Sequence, residues 1–435
     1  MRLDELNNRR VVLLGLGTDV RAAVWAIDAA GPAELVVVDD GLDPAGSVSA
    51  GAGGGGPVEV VDVVGLAEAA AWGEVFVRSP GFPRYQPSLL AALESGSSMT
   101  TPLDLWMGTY GTGPTVVGIT GTKGKSTVTD LVGQLAGRAG IRVGVAGNLG
   151  VPVFDRGWDH AAPVVVLEVS SYQAADLHHV PDIAVVTSLA EDHLSWHGGL
   201  EQYVADKLRL VRNESGRAGR VLVPVESGRA MAALASLGVE AEVVAAPVGS
   251  EGPGSLPRHR LQNAALAAEV LHHIGGPQLS ADEVVDAART SLPGRLDPCP
   301  GPQGVLCLDD ALASNPSATA AGLAWVRSMD RPTVVLLGGA DRGVDPSPLA
   351  REVAQWADGR LLAVELPDSG HDLARRCGIT SIGACAAMDQ AVRCAAASLS
   401  GDGVVIFSPG APTPPGSGTW ATRSNAFRSA LAALR

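Results

Sequence analysis

The chain has 435 residues, room for about three domains at a typical size of roughly 150 residues each. Hydrophobic residues make up 46% but aromatic ones only 4%, so Ala, Val, Leu and Gly must supply the cores, which suits helices packed closely on parallel sheets. A formal net charge of −14 without a long basic run excludes a chain built to sit on nucleic acid or anionic membrane, and leaves any phosphate to be held by local groups.

The first ten residues lack the apolar core and cleavage site of a signal peptide, and no apolar run reaches about 18 residues, so the expected location is cytoplasmic. Residues 10–17 then read as a strand running into Gly15-Leu-Gly17, followed by a helix over residues 20–29 and a strand over residues 35–39, which makes a βαβ unit. Gly15-x-Gly17 with Asp39 or Asp40 placed for a ribose is part of a dinucleotide fingerprint, but Val20 stands where the third glycine belongs. Two readings stay open: a tight turn of a doubly wound fold, or a diphosphate site for a nucleotide sugar. The Gly-rich residues 47–57 read as a loop. Residues 75–78 form a strand ending at Ser79-Pro-Gly-Phe-Pro83, at the strand end where open sheets place ligands. Turn residues 110–114 close the first domain.

Next comes an apolar strand (Val116, Val117) that enters Gly118-Ile-Thr-Gly-Thr-Lys-Gly-Lys-Ser-Thr127 and then a helical pattern over residues 127–135. The spacing is G-x-x-x-x-G-K-S, in which backbone N–H groups cradle phosphates, Lys125 reaches the β/γ-phosphates and Ser126 holds Mg²⁺. Glu168 ends the β-branched run of residues 164–167, and a carboxylate there is costly to bury unless a cation meets it. A strand over residues 183–189 leads into Glu191-Asp-His193, and a helix over residues 202–210 carries Lys207. His193, at a strand end beside two acids, is placed for a second metal or a substrate phosphate. The five cysteines, all in the last third without C-x-x-C spacing, read as small buried residues.

Residues 120–127, Gly147-Asn-Leu-Gly150, residues 167–173, Glu191-Asp-His193 and residues 203–207 stand in the order and approximate spacing of the Mur ligases, the ATP-dependent amino-acid ligases of peptidoglycan precursor synthesis. The chain resembles that family over essentially its whole length. Ser79-Pro-Gly-Phe-Pro83 and Ser408-Pro-Gly-Ala-Pro412 are similar to motifs of the branch that adds glutamate to UDP-N-acetylmuramoyl-L-alanine. The resemblance implies an α/β fold of three domains: a Rossmann-like UDP-substrate domain (residues 1–113), a P-loop ATPase domain with a mainly parallel sheet (114–295) and a Rossmann-like amino-acid domain (296–435). It implies ATP held by Gly121, Thr122, Lys123, Gly124, Lys125, Ser126 and Thr127, with Asn263 at the adenine, Arg295 at the nucleotide and Asp310 near the ribose. Two Mg²⁺ sites follow, one on Ser126 and Glu168, the other on His193 and a carbamylated Lys207; an unmodified Lys207 paired with phosphate is the alternative. Lys125, His193 and Lys207 take the catalytic roles. Gly15, Gly17, Asp39, Ser79, Asn148 and Ser170 serve the uridine substrate, while Arg342, Ser408 and Thr413 serve the amino acid. The expected species is a monomer.

The last third departs from the D-glutamate pattern. Asp310-Ala-Leu-Ala-Ser-Asn315 has Leu312 where that pattern has a lysine, Arg342 replaces another lysine, and Thr413 replaces a serine. Arg grips a carboxylate through two parallel bonds and is no neutral exchange for Lys. These changes resemble the branch that adds L-glutamate, with D-glutamate the alternative. A nucleotide switch has no use for Glu168, His193 and Lys207 together. Gly15-x-Gly17 and Ser79-Pro-Gly81 argue against a folylpolyglutamate- or cyanophycin-type ligase, and the complete set of metal-site residues against a non-catalytic relative.

Overall fold

A computed structural model describes residues 1–39, 47–50, 59–148, 151–247, 256–290, 294–340, 345–399, 401–414 and 416–434. Asp40, Leu149, Gly150 and Arg342, all singled out above, lie outside the described residues.

The first sheet contains β1 (Arg10–Leu14), β2 (Glu34–Val38), β3 (Ser47–Ala50), β4 (Glu59–Val63), β5 (Val75–Arg78) and β6 (Ser98–Thr100), in the order β3-β4-β2-β1-β5-β6. Every pairing is parallel except β3 with β4. That exception corrects the loop expected over residues 47–57: its first four residues form an edge strand, because Ser47 to Ala50 pair antiparallel with β4 and satisfy their backbone groups there.

The second sheet runs parallel throughout. It contains β7 (Thr115–Thr120), β8 (Val143–Gly147), β9 (Val164–Glu168) and β10 (Ile183–Val186); after a two-strand hairpin, β11 (Arg212–Asn213) and β12 (Gly216–Arg217), come β13 (Arg220–Pro224) and β14 (Glu242–Val244). The order is β14-β13-β10-β7-β9-β8. β9 is buried along its whole length, as expected of an uninterrupted apolar run covered on both faces. The third sheet contains β15 (Asp297–Cys299), β16 (Val305–Asp309), β17 (Thr333–Leu337), β18 (Leu361–Glu365), β19 (Thr380–Ala384) and β20 (Gly403–Phe407). Its order is β15-β16-β20-β17-β18-β19, with only β15 antiparallel.

The chain divides into two compact units, residues 1–247 with 258–287 forming one and the C-terminal stretch from residue 288 the other. The first unit therefore carries two sheets. All five cysteines are free; Cys299, Cys307 and Cys377 are buried and the other two half-buried. No helix among the described residues is long and apolar enough to cross a membrane.

Arg78 couples the two sheets of the first unit. Its side chain is fully buried at the end of β5, and its Nε donates to Asp176 Oδ2 at 2.8 Å while Nη2 donates to the Tyr172 carbonyl at 2.5 Å. Nη1 takes the Pro80 carbonyl at 2.7 Å, so the same guanidinium shapes the turn after β5. Arg84 donates to the other Asp176 oxygen at 2.6 Å. Burial pushes the Asp176 carboxyl up, but the two guanidinium groups outweigh it and hold the carboxyl below its usual range. Replacing Asp176 by Ala strands the buried Arg78 cation and should lower the unfolding free energy by about 3–5 kcal/mol in urea titration; a loss below about 1 kcal/mol would contradict this role.

Candidate functional site

The phosphate loop sits between β7 and the helix Lys125–Arg138, at the carboxyl end of a central strand. Gly121 has φ +145° and Gly124 φ +91°. A Cβ on Gly121 would stand 2.0 Å from the Thr187 hydroxyl oxygen, so only glycine closes the loop there. Gly124 is the helix N-cap and brings no side chain to it, which leaves the first helical N–H groups for an anion. The loop is anchored from the side: Thr122 Oγ1 lies 2.8 Å from the Tyr203 hydroxyl, and the Lys123 N–H donates to Ser188 Oγ at 3.0 Å. Asn263, on the helix Arg258–His273, lies against Gly124, its Oδ1 2.6 Å from where a Cβ would stand.

Two lysines converge on one carbonyl. Lys125 Nζ and Lys207 Nζ each donate to the Gly121 carbonyl at 3.0 Å. Lys207 is buried, and burial first, then the charge of Lys125, depresses its pKa well below that of an ordinary lysine, against the pull of Asp192 and Glu168. The shift favours the neutral, nucleophilic form of the amine. Glu168 is buried as well. Its Oε1 accepts from Asn148 Nδ2 at 2.7 Å, whereas its Oε2 is buried without a hydrogen-bond partner among the described residues. An orphaned carboxylate oxygen in the interior is costly and fits a cation.

His193 holds a left-handed backbone at φ +52°, with its ring 4.9 Å from that of Tyr172. Burial, with Lys207, Lys123 and Lys125 adding to it, keeps its imidazole below the usual range despite Asp192, and a neutral imidazole is the metal-binding form. Glu168 and Ser126 offer the oxygen donors that a hard divalent cation such as Mg²⁺ takes, and His193 adds a nitrogen donor. Among the described residues the group of carboxylate and imidazole donors lying within 4.8 Å of one another is Glu242, Glu269 and His273, but Arg220 donates to Glu242 at 2.9 Å and already supplies positive charge there.

Of the residues expected to serve the uridine substrate, Gly15, Gly17, Asp39 and Ser79 lie at the carboxyl ends of β1, β2 and β5, whereas Asn148 follows β8 and Ser170 follows β9 in the second sheet. Gly15 has φ +79°, and a Cβ on Gly17 would approach Ser79 Oγ to 2.2 Å. Asp39 Oδ2 accepts the Leu16 N–H at 2.9 Å, so this carboxylate holds the glycine turn in place. Ser170 caps the short helix Ser171–Ala174 in a capping box with Gln173, whose amide donates to Asp19 Oδ2 at 2.8 Å. Arg78, Tyr85, Asp176, His197 and Asp206 escaped the sequence reading; the available signal was a charged residue closing an apolar strand, as in Val75-Phe-Val-Arg78.

In the second unit, Ser408 is fully buried and its hydroxyl donates to Asp310 Oδ2 at 2.8 Å. The Leu296 N–H reaches Asp310 Oδ1 at 3.2 Å, and Arg295 lies close enough to act on this carboxyl electrostatically. A shallow cleft opens at the carboxyl ends of β16, β17, β18 and β20, lined by Ser314, Ala340, Ser369, Arg376 and Pro412 among others, with Thr413 next along the chain. That is where an open sheet places its ligand. Burial pushes the Asp310 carboxyl up to about 7, against the Ser408 and Leu296 bonds and Arg295. The folded chain therefore keeps a proton there that the unfolded chain, titrating at roughly 4, releases earlier. This contribution is fully present below about pH 4 and is lost as pH rises toward about 7, so the Asp310→Asn protein should lack a decline in denaturation midpoint that the parent shows over that range. Identical pH profiles for the two proteins would contradict the buried neutral carboxyl.

Residues 119–244 match the Mur ligase middle domain family. A protein of Micromonospora sp. named UDP-N-acetylmuramoyl-L-alanine--L-glutamate ligase is 35% identical over 95% of this chain and 94% of its own length. One of the same name from Salinispora tropica is 34% identical, covering 95% of each chain. Among solved structures, the MurF ligase of Thermotoga maritima in complex with ADP superposes with a TM-score of 0.58 at 13% identity, over 100% of this chain and 97% of that one. The UDP-N-acetylmuramate-alanine ligase MurC of the same organism gives 0.57 at 14%, over 98% and 100%. These two likenesses bear on the fold.

Proposed function

The chain belongs to the Mur ligase family of ATP-dependent, ADP-forming ligases, and from that premise we propose that it joins glutamate, with the L-isomer favoured, to UDP-N-acetylmuramoyl-L-alanine. The observation that carries the reading is the convergence of half-buried Lys125 and buried Lys207 on the Gly121 carbonyl of a phosphate-type loop, with the buried Glu168 carboxylate acting electrostatically on Lys207. The substrate's terminal carboxylate attacks the γ-phosphate of ATP, giving an acyl phosphate and ADP; the amine of glutamate then attacks the acyl carbon and releases phosphate.

The chain's task is to place two anions against each other. Lys125 and the N–H groups after Gly124 hold the phosphates, and Asn263 borders the nucleotide. Mg²⁺ held by Ser126 and Glu168, and by His193 with Lys207, supplies the positive charge that lets the two anions approach. Carbon dioxide adds to the unprotonated amine of Lys207, whose depressed pKa favours that form, with loss of a proton, giving a carbamate whose oxygens can ligate a hard cation. No side chain needs to act as a covalent nucleophile. Residues 1–113, 114–295 and 296–435 serve as substrate, ATP and amino-acid domains, with Arg295 and Asp310 on the nucleotide and Ser408, Thr413 and Arg342 toward the amino acid. The enzyme works as a cytoplasmic monomer.

Phosphate release with UDP-N-acetylmuramoyl-L-alanine, ATP and each glutamate isomer tests the assignment. Turnover is expected with L-glutamate; turnover with D-glutamate alone would overturn the isomer, and turnover with neither would overturn the ligase reading. Lys125→Ala should lower kcat by about 10²–10³-fold, the scale for losing one electrostatic contact to a developing charge. Protein equilibrated with ¹³C-bicarbonate should show a carbamate carbon signal that disappears in Lys207→Ala; its absence from the parent would leave Lys207 as an unmodified amine.

A further inference from the structure

Asp206 precedes Lys207 in the chain, yet its bonds lead elsewhere. Its Oδ2 accepts the Tyr85 hydroxyl at 2.6 Å and lies 2.6 Å from His197 Nδ1, while Oδ1 accepts the Gln202 amide at 2.7 Å. On the far side of the ring, His197 Nε2 lies 3.0 Å from Ser171 Oγ. With Nδ1–H directed at the carboxylate, the Nε2 of a neutral ring accepts the Ser171 proton. Ser171, His197 and Asp206 are only 3%, 2% and 3% exposed, so water cannot take over any of these bonds.

A serine, histidine and aspartate in this order suggest nucleophilic chemistry, but the burial of all three leaves no path for a substrate to Ser171. What the network does reach is the metal side of the site. Ser171 follows β9 three residues after Glu168, Asp206 shares the helix Leu200–Leu208 with Lys207, and Tyr85 comes from the loop that follows Ser79-Pro-Gly-Phe-Pro83. The Tyr85 ring meets Trp196 edge-on at 5.7 Å, Trp196 lies 4.6 Å from Tyr172, and Tyr172 lies 4.9 Å from His193.

The geometry points to Asp206 and His197 as positioning residues that hold the Lys207 helix and the Glu168 strand end at a fixed separation, with Tyr85 tying this frame to the substrate-side loop of the first sheet. The inference rests on the proposed reading of Glu168 and Lys207 as cation-binding residues. Partners that orient metal ligands change affinity by about 10–100-fold when removed, because the ligand then loses its fixed orientation.

Mn²⁺ is the probe. Its affinity for the full chain with ADP, read by electron paramagnetic resonance, is compared among the parent, Glu168→Gln, Asp206→Asn and Tyr85→Phe, with thermal midpoints measured alongside. Asp206→Asn should weaken Mn²⁺ binding by about tenfold or more. Tyr85→Phe keeps the ring on Trp196 and removes only the hydroxyl, so it should stay folded and weaken binding several-fold. If both bind Mn²⁺ as the parent does, even with lowered midpoints, the network is only structural and the proposal falls. Parent-like binding by Glu168→Gln would remove the cation site itself, and the proposal with it. Weakening in Glu168→Gln but in neither network variant would leave the site and overturn the positioning role alone.

Discussion

Two lysine side chains on a single carbonyl oxygen are the constraint around which the first unit is arranged. Lys125, half-buried, and Lys207, fully buried, both reach Gly121, and the charge of the first disfavours a charge on the second. The conflict resolves asymmetrically. Lys125 begins a helix whose N-terminal dipole attracts anions, so its charge has a function; Lys207 sits deep in the interior, and burial together with Lys125 drives it toward neutrality. The orphaned oxygen of Glu168 is the complementary half, an acceptor left over where donors are neutral or already engaged. Such a site is electrostatically incomplete until phosphate and a divalent cation arrive. Stabilisation is thereby reserved for the charges of the reaction.

Holding that incomplete arrangement requires rigidity from outside it. Neither Arg78 nor Asp206 touches the Gly121 carbonyl, but each spends its bonds joining the first sheet to the elements that carry Glu168, His193 and Lys207. The aromatic rings of Tyr85, Trp196 and Tyr172 fill the same seam, and Arg78 lies 5.2 Å over Trp196. A chain with few aromatic residues has concentrated several of them here.

How much of this could be read in advance follows from which interactions are local. The phosphate loop was legible because its geometry is a property of consecutive residues: glycines at positive φ, then a lysine at a helix start. The strands read at β1, β2, β5, β7, β9 and β10 were legible for the same reason, as short apolar runs whose ends alone moved, as with the strand expected to reach Leu189 that stops at Val186; the other strands, among them all of the third sheet, were not read individually. The edge strand Ser47–Ala50 was missed because its pairing partner, not its composition, makes it a strand. Arg78, Asp176, His197 and Asp206 were missed because partners such as Arg78 and Asp176 lie about a hundred positions apart in the chain.

In the C-terminal unit, the cleft proposed for the amino acid is built from loops at the carboxyl ends of strands, among them the loop after β16 that carries Ser314 and the loop after β20 that carries Pro412, and neither of these two lining residues belongs to a central hydrophobic cluster. Asp310 and Ser408, directly beneath, are bonded to each other and buried, and form the rigid floor. The lining residues can therefore change while the floor keeps its hydrogen bonds. The acyl-transfer groups lie in a separately packed unit with its own sheet and electrostatics, so selectivity for an amino acid and activation of a carboxylate can vary independently.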